Sequence, residues 1–256
     1  MPYTVFMRRS SKIVGIAILI LGLVSVILWV ATLQMGNRKL RVSFLDTGSG
    51  AATLIEAPGG RTVLIDGGPD AGILRSLGSA LPWWQRSIDV VIAAHPDAAH
   101  VAGLIDVLQR YQVAQVFVSS AQGSGPVWTA FQKALTDAQR EGTTVHVASR
   151  GNVINLGDGA SIEVLFPDRD LSQAGSASGC IEMRLTFGTT SFMLSCGSEG
   201  IENYVARLDG TSLRSDALYS SGATSSPLFA GFVGAQLIAQ PGEAYASDGK
   251  TILKEN

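Results

Sequence analysis

At 256 residues the chain has room for one substantial domain and an anchor, and its 46% apolar and 16% charged residues are lean in charge for a globular protein. The formal net charge of −2 hides an asymmetry, because five of the 19 basic residues (Arg8, Arg9, Lys12, Arg38, Lys39) precede Leu40 and none of the 21 acids does. The remainder is acidic by about seven charges, which disfavours tight nonspecific binding to nucleic acid. No internal repeat or low-complexity tract is present, and the two cysteines, Cys180 and Cys196, lack zinc-ligand spacing.

Residues 1–12 form a short basic segment. Ile13–Leu33 follows without a charge and has the length of a transmembrane helix, with Trp29 near its distal end. A cleaved signal peptide is the competing reading, but the run is long and Trp29–Met35 offers no small-x-small site. The expectation is a single-pass membrane protein. Basic residues flank both ends of the span, so orientation rests on the short N-terminus, which leans toward an extracytoplasmic domain.

Residues 38–256 read as the domain. Leu40–Asp46 alternates like a strand, and Thr53–Ala57 and Thr62–Ile65 flank the Pro58-Gly59-Gly60 turn of a hairpin. Ile73–Leu81 looks helical. Ile88–Ala94 is apolar but for Asp89, as expected for a central strand buried on both faces. Val101, Leu104, Ile105 and Leu108 have helical spacing; Val113–Val118 is a strand; Pro126–Arg140 is a helix that stops at Gly142. Strands near Thr144–Ala148, Ser161–Phe166, Ile181–Phe187 and Ser191–Leu194 follow, then a helix near Glu199–Leu208 and strands near Ala217–Tyr219 and Ala235–Ala239. The cysteines flank a hairpin centred near Gly188 and are read as two buried thiols, with a disulfide as the alternative outside the cytoplasm. Trp83-Trp84 is expected to pack in the core or plug a loop.

The segments FLDTGSGAATLIEAPGGRTVLIDGGP and IDVVIAAHPDAAHVAGL resemble the C-terminal metallo-β-lactamase domain of ComEC-type competence proteins, which are membrane proteins of DNA uptake. The resemblance covers roughly residues 38–245. It implies an α+β chain: a metallo-β-lactamase-like αββα sandwich preceded by one transmembrane helix. It also implies a two-metal hydrolytic site in which cations share a hydroxide and clamp the oxygens of a phosphodiester. The family loop His-Pro-Asp-Ala-Asp-His stands here as His95-Pro96-Asp97-Ala98-Ala99-His100, so His95, Asp97 and His100 match and Ala99 replaces an acid.

Elsewhere Ala51 holds the place of another acid, Cys196-Gly197-Ser198 stands for Thr-Gly-Asp, and Ser220-Ser221-Gly222-Ala223 stands for His-His-Gly-Ser. His95, Asp97 and His100 therefore read either as a polar loop capping the next helix or as a residual site for one zinc or manganese ion; no catalytic residue and no resident cofactor is expected. Asp46, Asp66, Gly67 and Gly68 read as turn and loop support. Ser198, Ser220 and Ser221 act as nucleophiles only if a base lies beside them. The expected role is a noncatalytic binding or scaffold module with an unidentified protein partner. The alternative is a metal-dependent phosphodiesterase or nuclease with an unusual ligand set. Nucleic acid enters as a partner only through the resemblance, against the acidic domain.

Overall fold

The computed structural model describes residues 4–35, 39–48, 50–175, 179–222 and 224–255. It separates into two units, residues 1–38 and 39–256. In the first, α1 is one continuous helix, Thr4–Met35. Its side chains are described from Ile13 to Trp29, and Ile13 to Leu28 are exposed along it wherever they are large and apolar. Among the described residues no helix is long and apolar enough to cross a membrane. The expected span runs on to Leu33, beyond the described side chains.

The second unit is built from two sheets. One has eight strands: β1 (Leu40–Leu45), β2 (Ala52–Glu56), β3 (Thr62–Ile65), β4 (Ser87–Ala93), β5 (Gln112–Val118), β6 (Thr144–Val147), β13 (Ala244–Ser247) and β14 (Ile252–Glu255), ordered β14-β13-β1-β2-β3-β4-β5-β6. The other has six: β7 (Val153–Gly157), β8 (Ala160–Phe166), β9 (Glu182–Phe187), β10 (Thr190–Ser195), β11 (Ala217–Ser220) and β12 (Leu237–Ile238), ordered β12-β11-β10-β9-β8-β7. Helices α2 (Ile73–Ala80), α3 (Ala98–Arg110) and α4 (Gly125–Arg140) cover the first sheet, and α5 (Glu199–Asp209) and α6 (Pro227–Val233) cover the second.

Strand β4 shows why the layers form. From Val90 on, its period of two sends Val90 and Ile92 into the core between the sheets and Val91 and Ala93 toward α2, α3 and α4, while Ile88 at the strand's start packs with the latter group. Both faces are dry from Val90 on, hence the apolar run Val90–Ala94, while the half-buried Asp89 accepts from the Thr62 amide at 2.8 Å. Phe44, Phe192, Leu185 and Tyr219 close the inter-sheet core, with the Phe44 and Tyr219 rings stacked at 4.1 Å. The result is an αββα sandwich.

Four elements escaped the pattern reading: β7, α6, β13 and β14. Two corrections follow. Trp83 and Trp84 do not pack in the core; they are 80% and 67% exposed and meet edge to face. Cys180 and Cys196 are not two thiols but a disulfide, because the β9–β10 hairpin returns the chain to where it began.

The close approach of α3 to the β3 end fixes the site. A side chain on Gly103 would place its Cβ 2.0 Å from the Gly67 carbonyl oxygen, and one on Gly67 would meet the Leu104 amide at 2.6 Å. Glycine at both allows the backbones to touch, so Gly67 donates to the His100 carbonyl at 2.7 Å and Gly103 to the Gly68 carbonyl at 3.1 Å. That contact sets the end of β3 beside the start of α3.

Candidate functional site

The strands β3 and β4 run parallel and end together, which sets Asp66 against His95. Asp66 adopts φ 57° and is almost fully buried. Its Oδ1 accepts from the amides of Ala94 at 2.8 Å and His95 at 3.3 Å, and its Oδ2 lies 2.6 Å from His95 Nδ1. On the other side of the ring, Nε2 is 3.0 Å from the Cys196 carbonyl oxygen and 3.1 Å from Ser221 Oγ.

A carboxylate and a carbonyl only accept. Both ring nitrogens of His95 therefore donate, and the ring is an imidazolium. Burial opposes that charge most strongly, but the charge and hydrogen bond of Asp66, the Cys196 carbonyl and the charge of Asp97 together raise the group to about 9.

Asp97 and His100 form the rim. Asp97 is the N-cap of α3: its Oδ1 accepts from the Ala99 amide at 2.9 Å and from His100 Nδ1 at 2.7 Å. Burial pushes Asp97 up, but His100's hydrogen bond and charge, the charge of His95 and the Ala99 amide hold it below the ordinary carboxylate value. The His100 ring stacks on that of His95 with centroids 3.9 Å apart.

The structure thus groups the expected residues differently from the loop motif. Asp66, His95 and His100 each offer one ligand atom within 4.8 Å of the others, while Asp97 serves the helix cap. Asp66 is not merely a turn residue. Asp46 accepts from the Gly48 amide in a local turn, and Ser198 begins α5 without a side-chain capping bond. Ser220 lies with Ser221 on an open cleft of about 540 Å³, and its Oγ is buried without a hydrogen-bond partner. His146 sits on β6, stacked on Phe117 at 4.8 Å.

Sequence reasoning missed a buried carboxyl pair behind the site. Glu182 and Glu202 are both fully buried. The Ser195 hydroxyl lies 3.0 Å from Glu182 Oε1 and 2.6 Å from Glu202 Oε1, yet it has one proton to give. Burial, then the charge of Glu202, raise Glu182 to about 8. A void of about 20 Å³ bounded by Asp66, His95, Ser195, Cys196 and Ser221 is large enough for one water. No local pattern marks Glu182 in the sequence; only the packing of α5 on β10 creates the pair.

A two-cation centre needs about six donors with free lone pairs. Ala51 and Ala99 supply none, and the Cys180 and Cys196 sulfurs are joined to each other, which leaves Asp66, His95 and His100 among the described residues. The donor set does not fit a pair of metal ions.

Residues 45–169 match the family model of the metallo-beta-lactamase superfamily. No curated protein matches the chain. Among solved structures it is similar to the metallo-beta-lactamase fold protein YhfI from Bacillus subtilis, at 16% identity and a TM-score of 0.52, covering 78% of this chain and 84% of that one. It is also similar to Zn(2+)-bound PqqB from Methylobacterium extorquens (14% identity, TM-score 0.46, 71% and 72% covered) and to a diphosphatase of the PhnP family (16%, 0.47, 77% and 83%). At these identities the likeness is one of fold.

Proposed function

We propose that the chain is a membrane-tethered metallo-β-lactamase-fold module that does not run two-metal hydrolysis and acts by binding a protein partner. One observation carries this reading: both nitrogens of His95, the histidine that opens the ligand loop, donate to protein acceptors. The uncharged run Ile13–Leu33, lying within α1, supports the tether, and the short basic N-terminus favours an extracytoplasmic domain. The ComEC-like segments suggest a link to DNA uptake through a protein partner, since the domain's excess of acid repels phosphate backbones.

Metal analysis of the full chain in mild detergent tests the reading. Less than one tightly held transition metal per chain is expected, and no cleavage of phosphodiesters with added manganese or zinc. Two stoichiometric metals, with activity that His95→Ala abolishes, would overturn it. A second reading rests on the convergence of Asp66, His95 and His100. It is a single-zinc or single-manganese hydrolase, and it requires one stoichiometric metal and metal-dependent turnover in the same experiment.

A further inference from the structure

Beyond the reading above, which concerns metals and partners, the same cluster has a geometry that needs neither. We propose that Asp66, His95 and Ser221 form a metal-free nucleophilic relay that cleaves uncharged carboxylic esters bound in the cleft beside Ser221.

Three contacts make the case. Asp66 Oδ2 lies 2.6 Å from His95 Nδ1, and His95 Nε2 lies 3.1 Å from Ser221 Oγ, both within hydrogen-bond reach for a nucleophile, its base and the group that orients the base. Asp66 is itself held by the amides of Ala94 and His95. Ser221 is half-buried and borders two spaces at once: the small void that holds Asp66 and His95, and the open cleft of about 540 Å³. The base is thus screened from solvent while the hydroxyl faces the surface.

The Cys196 carbonyl lies 3.0 Å from the same nitrogen but only accepts, so the Ser221 hydroxyl is the donor within reach of Nε2 among the described residues. The charged or titratable groups acting on His95 are Asp66 from the end of β3, Asp97 and His100 at the start of α3, and Glu182 on β9.

The cleft sets the substrate class. Gly48, Ser220, Thr224, Ile238 and Pro241 are among its walls, and no Lys, Arg, Asp or Glu lines it among the described residues. An anionic phosphodiester finds no counter-charge there, whereas a neutral ester meets small polar and apolar walls. In the reaction, Ser221 Oγ adds to the ester carbonyl carbon as its proton passes to His95 Nε2. Collapse of the adduct breaks the bond to the alcohol oxygen, which takes that proton from His95. Water then gives a proton to Nε2 and attacks the acyl-serine; collapse of that adduct releases the acid and returns the proton from Nε2 to Ser221 Oγ.

The test is labelling of the full chain in detergent with an uncharged alkyl fluorophosphonate, from about pH 7 to about pH 10, with the labelled residue mapped by mass spectrometry. The expected result is covalent label on Ser221 that survives a chelator, together with hydrolysis of short p-nitrophenyl esters. Ser221→Ala reduces both to background, Ser198→Ala changes neither, and Asp66→Asn lowers kcat at unchanged KM. Absence of label on Ser221 of the unaltered chain across that range overturns the relay without any variant having to fold. So does label that a chelator removes and zinc restores. Absence of label leaves the metal count untouched, so the two readings fail separately.

Discussion

The two histidines of one six-residue loop have been put to different uses. His95 lies at the deep end, gripped by a carboxylate on one side and a carbonyl on the other. His100 lies at the rim, tied by one nitrogen to the aspartate that caps α3. The motif spacing makes them look equivalent; burial separates them. A group that loses its water must have every polar atom satisfied inside the protein, and at His95 this consumes both nitrogens.

The contrast can be broken by three measurements. The largest effect is expected from Asp66→Asn, which leaves a buried imidazolium without its counter-charge and costs about 3–5 kcal/mol in urea unfolding. A loss below about 1 kcal/mol would show that His95 is neutral and the deep end is no ion pair.

The second effect is on pH. His95 is raised from 6.5 to about 9, so the native state holds a proton that the unfolded chain releases. Its stabilisation is complete below about 6.5 and disappears as pH rises through about 9. Glu182, raised from 4.5 to about 8, acts with the same sign between those values. Thermal midpoints should therefore fall steadily from about pH 5 to about pH 9.5, and a flat profile would contradict both assignments.

The smallest effect belongs to the rim. Asp97→Ala removes a helix cap and one partner of His100, and the expected loss is about 1 kcal/mol. A cost equal to that of Asp66→Asn would erase the distinction between deep end and rim.

Much of the sandwich was legible where one residue pattern had one structural solution. The Ile88–Ala94 run, apolar but for Asp89, demanded a strand covered on both faces, and Pro58-Gly59-Gly60 demanded a hairpin. The missed elements had weaker or overlooked marks. Asp158-Gly159 turns β7 into β8 with both residues at positive φ, Asp248-Gly249 lies in the turn between β13 and β14, and Ser226-Pro227 opens α6. Trp83-Trp84 was misjudged because aromatic bulk suggests burial, whereas the α2–β4 connection leaves both rings outside.

The sequence alone determined which side chains are able to ligate a cation, since Ala51 and Ala99 have no lone pair in any fold. It also determined the layered architecture, through apolar periodicity and glycine turns. Tertiary structure decided the rest: that Asp66 and not Asp97 meets His95, that Cys180 meets Cys196, that Glu182 faces Glu202, and that Ser221 reaches Nε2. The last of these joins strand ends from both sheets. Hydrogen bonds between residues as far as 126 positions apart arise only once the packed core has brought the sheets together.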